Sequence, residues 1–293
     1  MPTIRQIRNR IRSVRNIAQV TRAMEMISAS KMRRAQSAVL ASRSYADKAR
    51  EVLTYVATEP GRGKNLHPLL EERKTINGIA VILFTTSRGL AGAYDVNITR
   101  KTVDFMNEQQ APVKLLTVGK RGRDLMRRMG KPIIADFTGI SDRPQLAQIT
   151  ALSRAAQDEF LQGRVDQVYV AYTDFVNVLR QIPTVRRILP IERAEAKHAG
   201  PQAVYLYEPS PEQILATVLP RFVEVQIYQA LLESIASEHA ARMVAMRNAT
   251  DNANELINSL TLLRNKVRQT AITKEMLDIA GGAEALRQSL AAG

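Results

Sequence analysis

Apolar residues at Ile4, Ile7, Ile11 and Val14, then at Ile17, Val20, Met24 and Ile27, recur in steps of three and four along a stretch without Gly or Pro. That spacing predicts one helix over 4–57 with a heptad seam, and the 3-3 step around Ile17 predicts a local phase shift that overwinds it. After Ile27 the seam turns small, at Ala29, Ala35, Ala38 and Ala41, and "EPGRGKNLHP" (Glu59–Pro68) ends the helix.

The pattern then changes period. "GIAVILFTT" (Gly78–Thr86) is a continuous apolar run of buried-strand type, followed by the glycine-bearing "SRGLAGAYD" and a helix to about Gln109. Strand "VKLLTVG", a helix over 121–129, strand "IIADF", a helix over 145–161 and strand "QVYVAY" continue the alternation. "VLRQIPTVRRILP" carries Pro183, which cannot donate to a ladder, and is expected at a sheet edge. The fold class this predicts is α/β plus long α-helices, with a mostly parallel sheet.

A longer helix follows. Ser210, Pro211 and Gln213 form a capping-box start. Leu215, Val218, Phe222, Val225, Gln229, Leu232, Ala236, His239, Met243, Met246, Thr250, Ala253, Ile257 and Leu260 keep 3-4 spacing. Pro220 is expected to kink this helix, and Gly281–Gly282 to stop it, after about seventy residues or roughly 105 Å. Two helices flanking one insert leave it side by side, hence an antiparallel coiled coil with residue i facing about residue 267 − i. Ile4 then sits near Leu263 and Met24 near Met243. The segment "ASEHAARMVAMRNATDNA" (Ala236–Ala253) is expected to face the first helix through a slim Ala/Met seam. Beyond about Arg264 the last helix has no internal partner, and a lone helix of that length is marginal in water. Four segments follow: 1–58 an N-terminal coiled-coil helix, 75–190 the inserted α/β domain, 191–209 a linker and 210–285 a C-terminal coiled-coil helix.

Charge adds a direction. The net charge is +14 over 293 residues, and residues 1–50 hold twelve Lys/Arg against Glu25 and Asp47 only. The first helix therefore suits an acidic partner. Arg8, Lys31, Arg33 and Arg34 are candidate contact residues on it. There is no Cys, which excludes disulfides and thiolate metal sites, and His67, His198 and His239 have no ligand spacing, so no metal site is expected. The longest apolar run, Ile79 to Phe84, is far short of a membrane span. The basic N-terminus lacks the apolar stretch of a signal peptide. A protein of the cytoplasmic side is the expectation.

The motifs with a chemical reading are few. "SRGLAG" follows a strand and opens a helix, as a phosphate cradle does, but lacks both G-x-G-x-x-G and G-K-[ST]; a tight strand-to-helix turn is the alternative. "GKRG" (Gly119–Gly122) matches the G-x-x-G clamp of KH domains in the wrong βαβ setting. The N-terminal arginines interleave with the seam instead of preceding it, unlike bZIP, so no specific nucleic-acid partner is expected. No carboxylate pair, triad or metal set can be assembled. Hence no catalytic residue and no cofactor is assigned. Arg242 and Arg247 read either as exposed shaft residues or as contacts. "RQTAITKE" is a polar set on a helix that something must enclose.

"IRNRIRSVRNIAQVTRAMEMISASKMRRAQ" (Ile7–Gln36), "TSRGLAGAYDVNI" (Thr86–Ile98) and "SEHAARMVAMRNATDNANELINSLTLLRNKVRQTAITKEMLDIAGGA" (Ser237–Ala283) resemble the gamma subunits of F-type ATP synthases. The resemblance implies a coiled coil carrying a Rossmann-like domain. It implies a noncatalytic rotor shaft turning inside a ring of alpha and beta subunits and bound to the epsilon subunit and the membrane c-ring. Such a complex couples proton-driven rotation to ATP synthesis, peripheral to the cytoplasmic face of a bacterial plasma membrane. Inter-subunit contact is then expected of Arg8, Met24, Lys31, Arg33 and Arg34, of Arg242 and Met246, and of Arg268, Gln269, Thr273 and Glu275. The absent Cys implies no thiol switch of the chloroplast kind.

Overall fold

A computed structural model of the chain describes residues 3–58, 67–142, 144–191 and 211–291. The elements in order are α1 (Ile4–Thr58), β1 (Ile79–Phe84), α2 (Tyr94–Glu108), β2 (Val113–Val118) and α3 (Lys120–Arg128). β3 (Ile133–Phe137), α4 (Leu146–Leu161), β4 (Gln167–Phe175), β5 (Gln181–Leu189) and α5 (Pro211–Ala291) follow, and a short 3-10 turn, Pro68–Leu70, lies between α1 and β1. The chain divides into two compact units, Met1–Ile27 with Val244–Gly293, and Ser28–Met243.

The larger unit is built on a five-stranded sheet ordered β3-β2-β1-β4-β5. β1 lies central, parallel to β2 on one side and to β4 on the other. All six of its residues are buried, which is why it reads as an unbroken apolar run. β3 continues the parallel set, whereas β5 returns antiparallel at the edge, with Pro183 opposite Thr173. Ile79, Val81 and Leu83 pack with Ile98 and Met106 of α2, Leu115 of β2 and Met126 of α3. The lead-in to β1 is pinned by an ion pair: Arg73 Nη1 lies 2.8 Å from Asp166 Oδ1, while Asp166 Oδ2 accepts the Asn77 and Gly78 amides. Burial alone would raise the Asp166 pKa, but Arg73 and these amides together hold it below its ordinary value.

In this unit α5 is not slim. From Phe222 to Met243 no residue is exposed. Its polar side chains are buried because each finds a partner. Thr150 donates to Glu224, Ser234 Oγ accepts the Thr173 amide at 3.3 Å, and Ser237 Oγ donates to the Thr173 carbonyl at 3.0 Å. The expectation of a thin seam facing only the first helix is thus corrected for residues 236–243, since α5 here also packs on the sheet. The helix runs as one element through Pro220, whose carbonyl accepts from Gln157 Nε2 at 3.3 Å.

The smaller unit is a two-helix seam. Ile7, Ile11, Val14 and Ala18 of α1 cluster with Ala253 and Leu260 of α5, joined by Ile257 and Val267. Two polar contacts fix the register: Thr21 Oγ1 lies 2.7 Å from Thr250 Oγ1, and Arg247 Nε donates to Glu25 Oε1 at 2.9 Å. Residue i therefore faces about residue 271 − i, one helical turn from the 267 − i expectation. That expectation placed Ala57 level with Ser210, and residues 192–210, including Ser210 of the capping-box start and most of the proposed linker, lie outside the described residues.

Two further corrections belong to the helices. The seam of α1 shows no phase shift: it steps from Val14 to Ala18 and Thr21, and Ser28, Met32, Ala35 and Val39 keep the same 3-4 spacing. Ile17, Val20 and Ile27 point away, 55%, 58% and 55% exposed, and Ala41 is exposed as well. Nor do the glycines end α5, which passes through Gly281–Gly282 to Ala291. Two glycines cost a helix about 2 kcal/mol relative to alanine, a penalty and not a stop.

Candidate functional site

Thr85 and Thr86 turn the chain out of β1. Thr85 Oγ1 donates to the Val118 carbonyl at 2.9 Å and accepts the Gly122 amide at 3.0 Å, locking the starts of two loops together. A Cβ at Gly119 would lie 2.1 Å from the Thr85 carbonyl oxygen, so only glycine fits there. Thr86 donates both its amide and its hydroxyl to the Asp95 carboxylate, at 2.8 and 2.7 Å. Asp95 thus places a carboxylate of the chain itself in the first turn of α2, where the helix dipole favours negative charge.

In a sheet of this order the ligand crevice of nucleotide-binding folds lies at the switch between β1 and β4. Here Ser234 of α5 is bonded to both sides of it: Tyr94 Oη donates to its carbonyl at 3.2 Å, and Thr173 of β4 donates to its hydroxyl. Helix α5 thus bridges the two sides of this switch point through Ser234.

The turn after Thr86 is held from α5. Arg242 Nε and Nη2 both donate to the Gly89 carbonyl, at 3.2 and 2.9 Å, and Nη2 also pairs with Glu238 at 2.7 Å. Its Nη1 lies 3.2 Å from His239 Nδ1, which must accept, since a guanidinium has no acceptor. Gly89 and Leu90 both have positive φ, 75° and 58°. Leu90 is 61% exposed. Burial pushes the Glu238 carboxyl above its ordinary pKa even though Arg242 opposes it. Burial likewise pushes His239 down, to about 4, helped by Arg242, Lys31 and Arg34 and opposed by Asp142. Lys31 forms an ion pair with Asp142, and this pair outweighs burial to hold the Asp142 carboxyl below its ordinary value.

The residues expected at contacts fall into distinct places. Arg8, Arg33 and Arg34 are exposed, Arg34 donating to Ser30 Oγ on its own helix at 3.2 Å. Met24 and Lys31 are half-buried. Arg268, Gln269, Thr273 and Glu275 are exposed, as is every residue of α5 from Arg268 to Arg287. Val267 is the exception to the expected lone end, packing in the two-helix seam. Arg242 and Met246 are buried. The reading of Arg242 as an exposed shaft residue is corrected: its donors are spent inside the chain, whereas Arg247 is exposed and paired with Glu25.

Sequence reasoning missed Asp95, Glu238 and Asp142. The Glu238–Arg242 pair carried a signal, the i,i+4 spacing of opposite charges. Nothing in sequence joins Lys31 to Asp142, 111 residues away. Among the described residues, no group of three or more His, Asp or Glu gathers as a metal site.

A family model described as ATP synthase matches residues 3–286. A gamma chain of ATP synthase from Dehalococcoides mccartyi is 51% identical over 286 residues, covering 98% of this chain and all of that one. One from Roseiflexus is 51% identical over 291 residues, with the same coverage. The chain belongs to the ATP synthase gamma-chain family. Its fold is also that of solved rotors. The central stalk of the Tetrahymena thermophila mitochondrial ATP synthase is matched at 25% identity and a TM-score of 0.58, covering 78% of this chain and 99% of that one. A chain of the Euglena gracilis mitochondrial enzyme, in rotational state 3, is matched at a TM-score of 0.66 with 18% identity, covering 97% and 94%. Among the described residues, no helix is long and apolar enough to cross a membrane.

Proposed function

We propose that this chain is the noncatalytic central shaft of a bacterial F-type ATP synthase, peripheral to the cytoplasmic face of the plasma membrane. It turns with the membrane c-ring and the epsilon subunit and biases nucleotide affinity on the surrounding alpha and beta subunits. The division into an N-terminal helix (1–58), an α/β insert (75–190), a linker (191–209) and a C-terminal helix (210–285) is then one of shaft, collar and shaft. The observation that carries the reading, beside the family, is the end of α5. Ile272, Met276, Leu277 and Ile279 are about half to two-thirds exposed there, beside Arg268, Gln269, Thr273 and Glu275. A helix so composed is suited to an enclosing protein surface that buries the first set and hydrogen-bonds the second.

Coupling in this reading is a difference in binding free energy of one asymmetric shaft for different conformations of its neighbours. On α1, Arg8, Arg33 and Arg34 each offer an exposed cation to acidic loops of those neighbours, Met24 offers an apolar contact, and Lys31 is already tied to Asp142. Arg242 and Met246, being buried, act within the chain.

Co-expression with the other subunits tests the proposal. One copy is expected per ring of six larger subunits, and removal of residues 268–293 is expected to weaken that assembly while leaving the melting of the isolated chain unchanged. Purification as a free homodimer, or a markedly lower melting temperature of the truncated chain alone, would overturn it.

A further inference from the structure

We propose that Arg242 is a positioning residue: with Glu238 it forms a buried latch that fastens the strained turn 87–92 to helix α5 and so sets where Leu90 is presented. This rests on the rotor reading only for what the turn is presented to. The geometry comes from the chain itself.

Three observations converge. First, Arg242 is buried and places two donors on one acceptor, the Gly89 carbonyl, a fork that neither lysine nor an uncharged side chain reproduces. Second, Glu238, four residues earlier, neutralises it, so the guanidinium is held in one orientation and its burial is tolerated. Third, the held turn is one the chain would not choose unaided. Leu90 occupies the left-handed region, where a leucine is uncommon, and it puts an apolar side chain outward. Backbone strain of this kind persists only where the surroundings over-determine it, and it gathers at functional sites. The other end of the turn is anchored through Thr86 and Asp95, with the Gly89 amide donating to Thr86 Oγ1 at 3.2 Å. The turn is thus tied at both ends, and the tie to α5 is Arg242.

A residue that touched a neighbouring subunit directly would act without the turn; a latch acts through it. Arg242→Lys keeps the charge beside Glu238 and loses the fork, so the fold survives. In the assembled complex, hydrogen exchange of the 88–92 amides is expected to quicken about tenfold. Proton pumping per ATP hydrolysed is expected to fall severalfold. Leu90→Asn relieves the strain, since asparagine tolerates the left-handed region. The double variant is therefore expected to match Leu90→Asn alone in both exchange and coupling. Gly89→Ala disturbs the turn from its other side, because a side chain at φ 75° is strained, and is expected to reproduce the coupling loss with Arg242 intact.

Unchanged exchange of the turn in Arg242→Lys would overturn the latch. So would a double variant that couples worse than Leu90→Asn alone, which would place Arg242 in contact with another subunit. If the wild-type chain fails to support pumping in the complex at all, the rotor reading falls, while the exchange result still decides the latch.

Discussion

Two stretches of one helix share a texture and differ in fate. Phe222–Met243 has no exposed residue, although it carries Glu224, Glu233, Ser234, Ser237, His239 and Arg242. Val244–Leu260 buries only Met246, Thr250, Ala253 and Leu260, and exposes most of the rest. The first stretch lies against a sheet and its helices, the second in a two-helix seam. What separates them is enclosure: in the first stretch Ser234, Ser237 and Arg242 are bonded inside the fold, whereas in the second most polar side chains face outward. A buried serine or glutamate is tolerable when bonded and costly when not. The enclosed stretch is therefore expected to behave as core and the seam as a forgiving surface.

Cavity formation is the strongest way to break that contrast. Ile227 is fully buried in the enclosed stretch, and Ile227→Ala is expected to cost about 4 kcal/mol, within the range for such losses where neighbours cannot collapse. Leu260→Ala in the seam, between the exposed Ser259 and the half-buried Thr261, is expected near the lower end, about 2 kcal/mol. Urea unfolding of both variants measures the difference. Equal losses would mean that the seam is packed as rigidly as the enclosed stretch.

The next effect separates the stretches by pH. His239 is buried neutral in the enclosed stretch, facing Arg242 on its own helix and Lys31, Arg34 and Asp142 from α1 and the segment before α4. Its folded pKa, about 4, lies below the ordinary 6.5, so the unfolded chain binds this proton more readily. Stability is then complete above pH 6.5 and is lost as pH falls toward 4, by about 3 kcal/mol from this group. Glu238, with its raised pKa, works in the opposite direction: the folded form takes up its proton first and gains stability as pH falls. His239→Asn is expected to flatten the profile between pH 6.5 and 4. An unchanged profile would show that the histidine is solvated.

How far all this was legible follows from the same contrast. The strand Ile79–Phe84 was plain because every residue is apolar and buried, and the edge position of β5 followed from Pro183. The seam misled because its buried positions are small or polar: Ala18, Thr21 and Ser28 carry no hydrophobic signal, whereas the exposed Ile17, Val20 and Ile27 do. An apolar pattern finds the seam only when the apolar face is the inner one. The enclosed stretch was hidden for the converse reason, since its partners, Thr173, Thr150 and Gly89, lie on other elements and no spacing announces them. Arg242 stood out in sequence as a charge, and its role came from where that charge points.

The smallest prediction sharpens the seam itself. Thr21 and Thr250 meet at 2.7 Å, and Thr250 also donates to the Met246 carbonyl, 2.9 Å away on its own helix. Thr21→Val removes a partner from the buried Thr250 hydroxyl and is expected to cost about 1 kcal/mol. The double replacement Thr21→Val with Thr250→Val leaves two apolar side chains of similar shape face to face, with no stranded polar group. It is expected to recover most of that loss, because removing both partners is nearly neutral where removing one is not. The same pair reads the register directly. Cysteines at 21 and 250 are expected to cross-link under mild oxidation, whereas cysteines at 21 and 246, the pair required by a seam set one turn away, are expected to stay reduced. Cross-linking of 21 with 246 alone would move the whole smaller unit by one turn and take the Arg247–Glu25 pair with it.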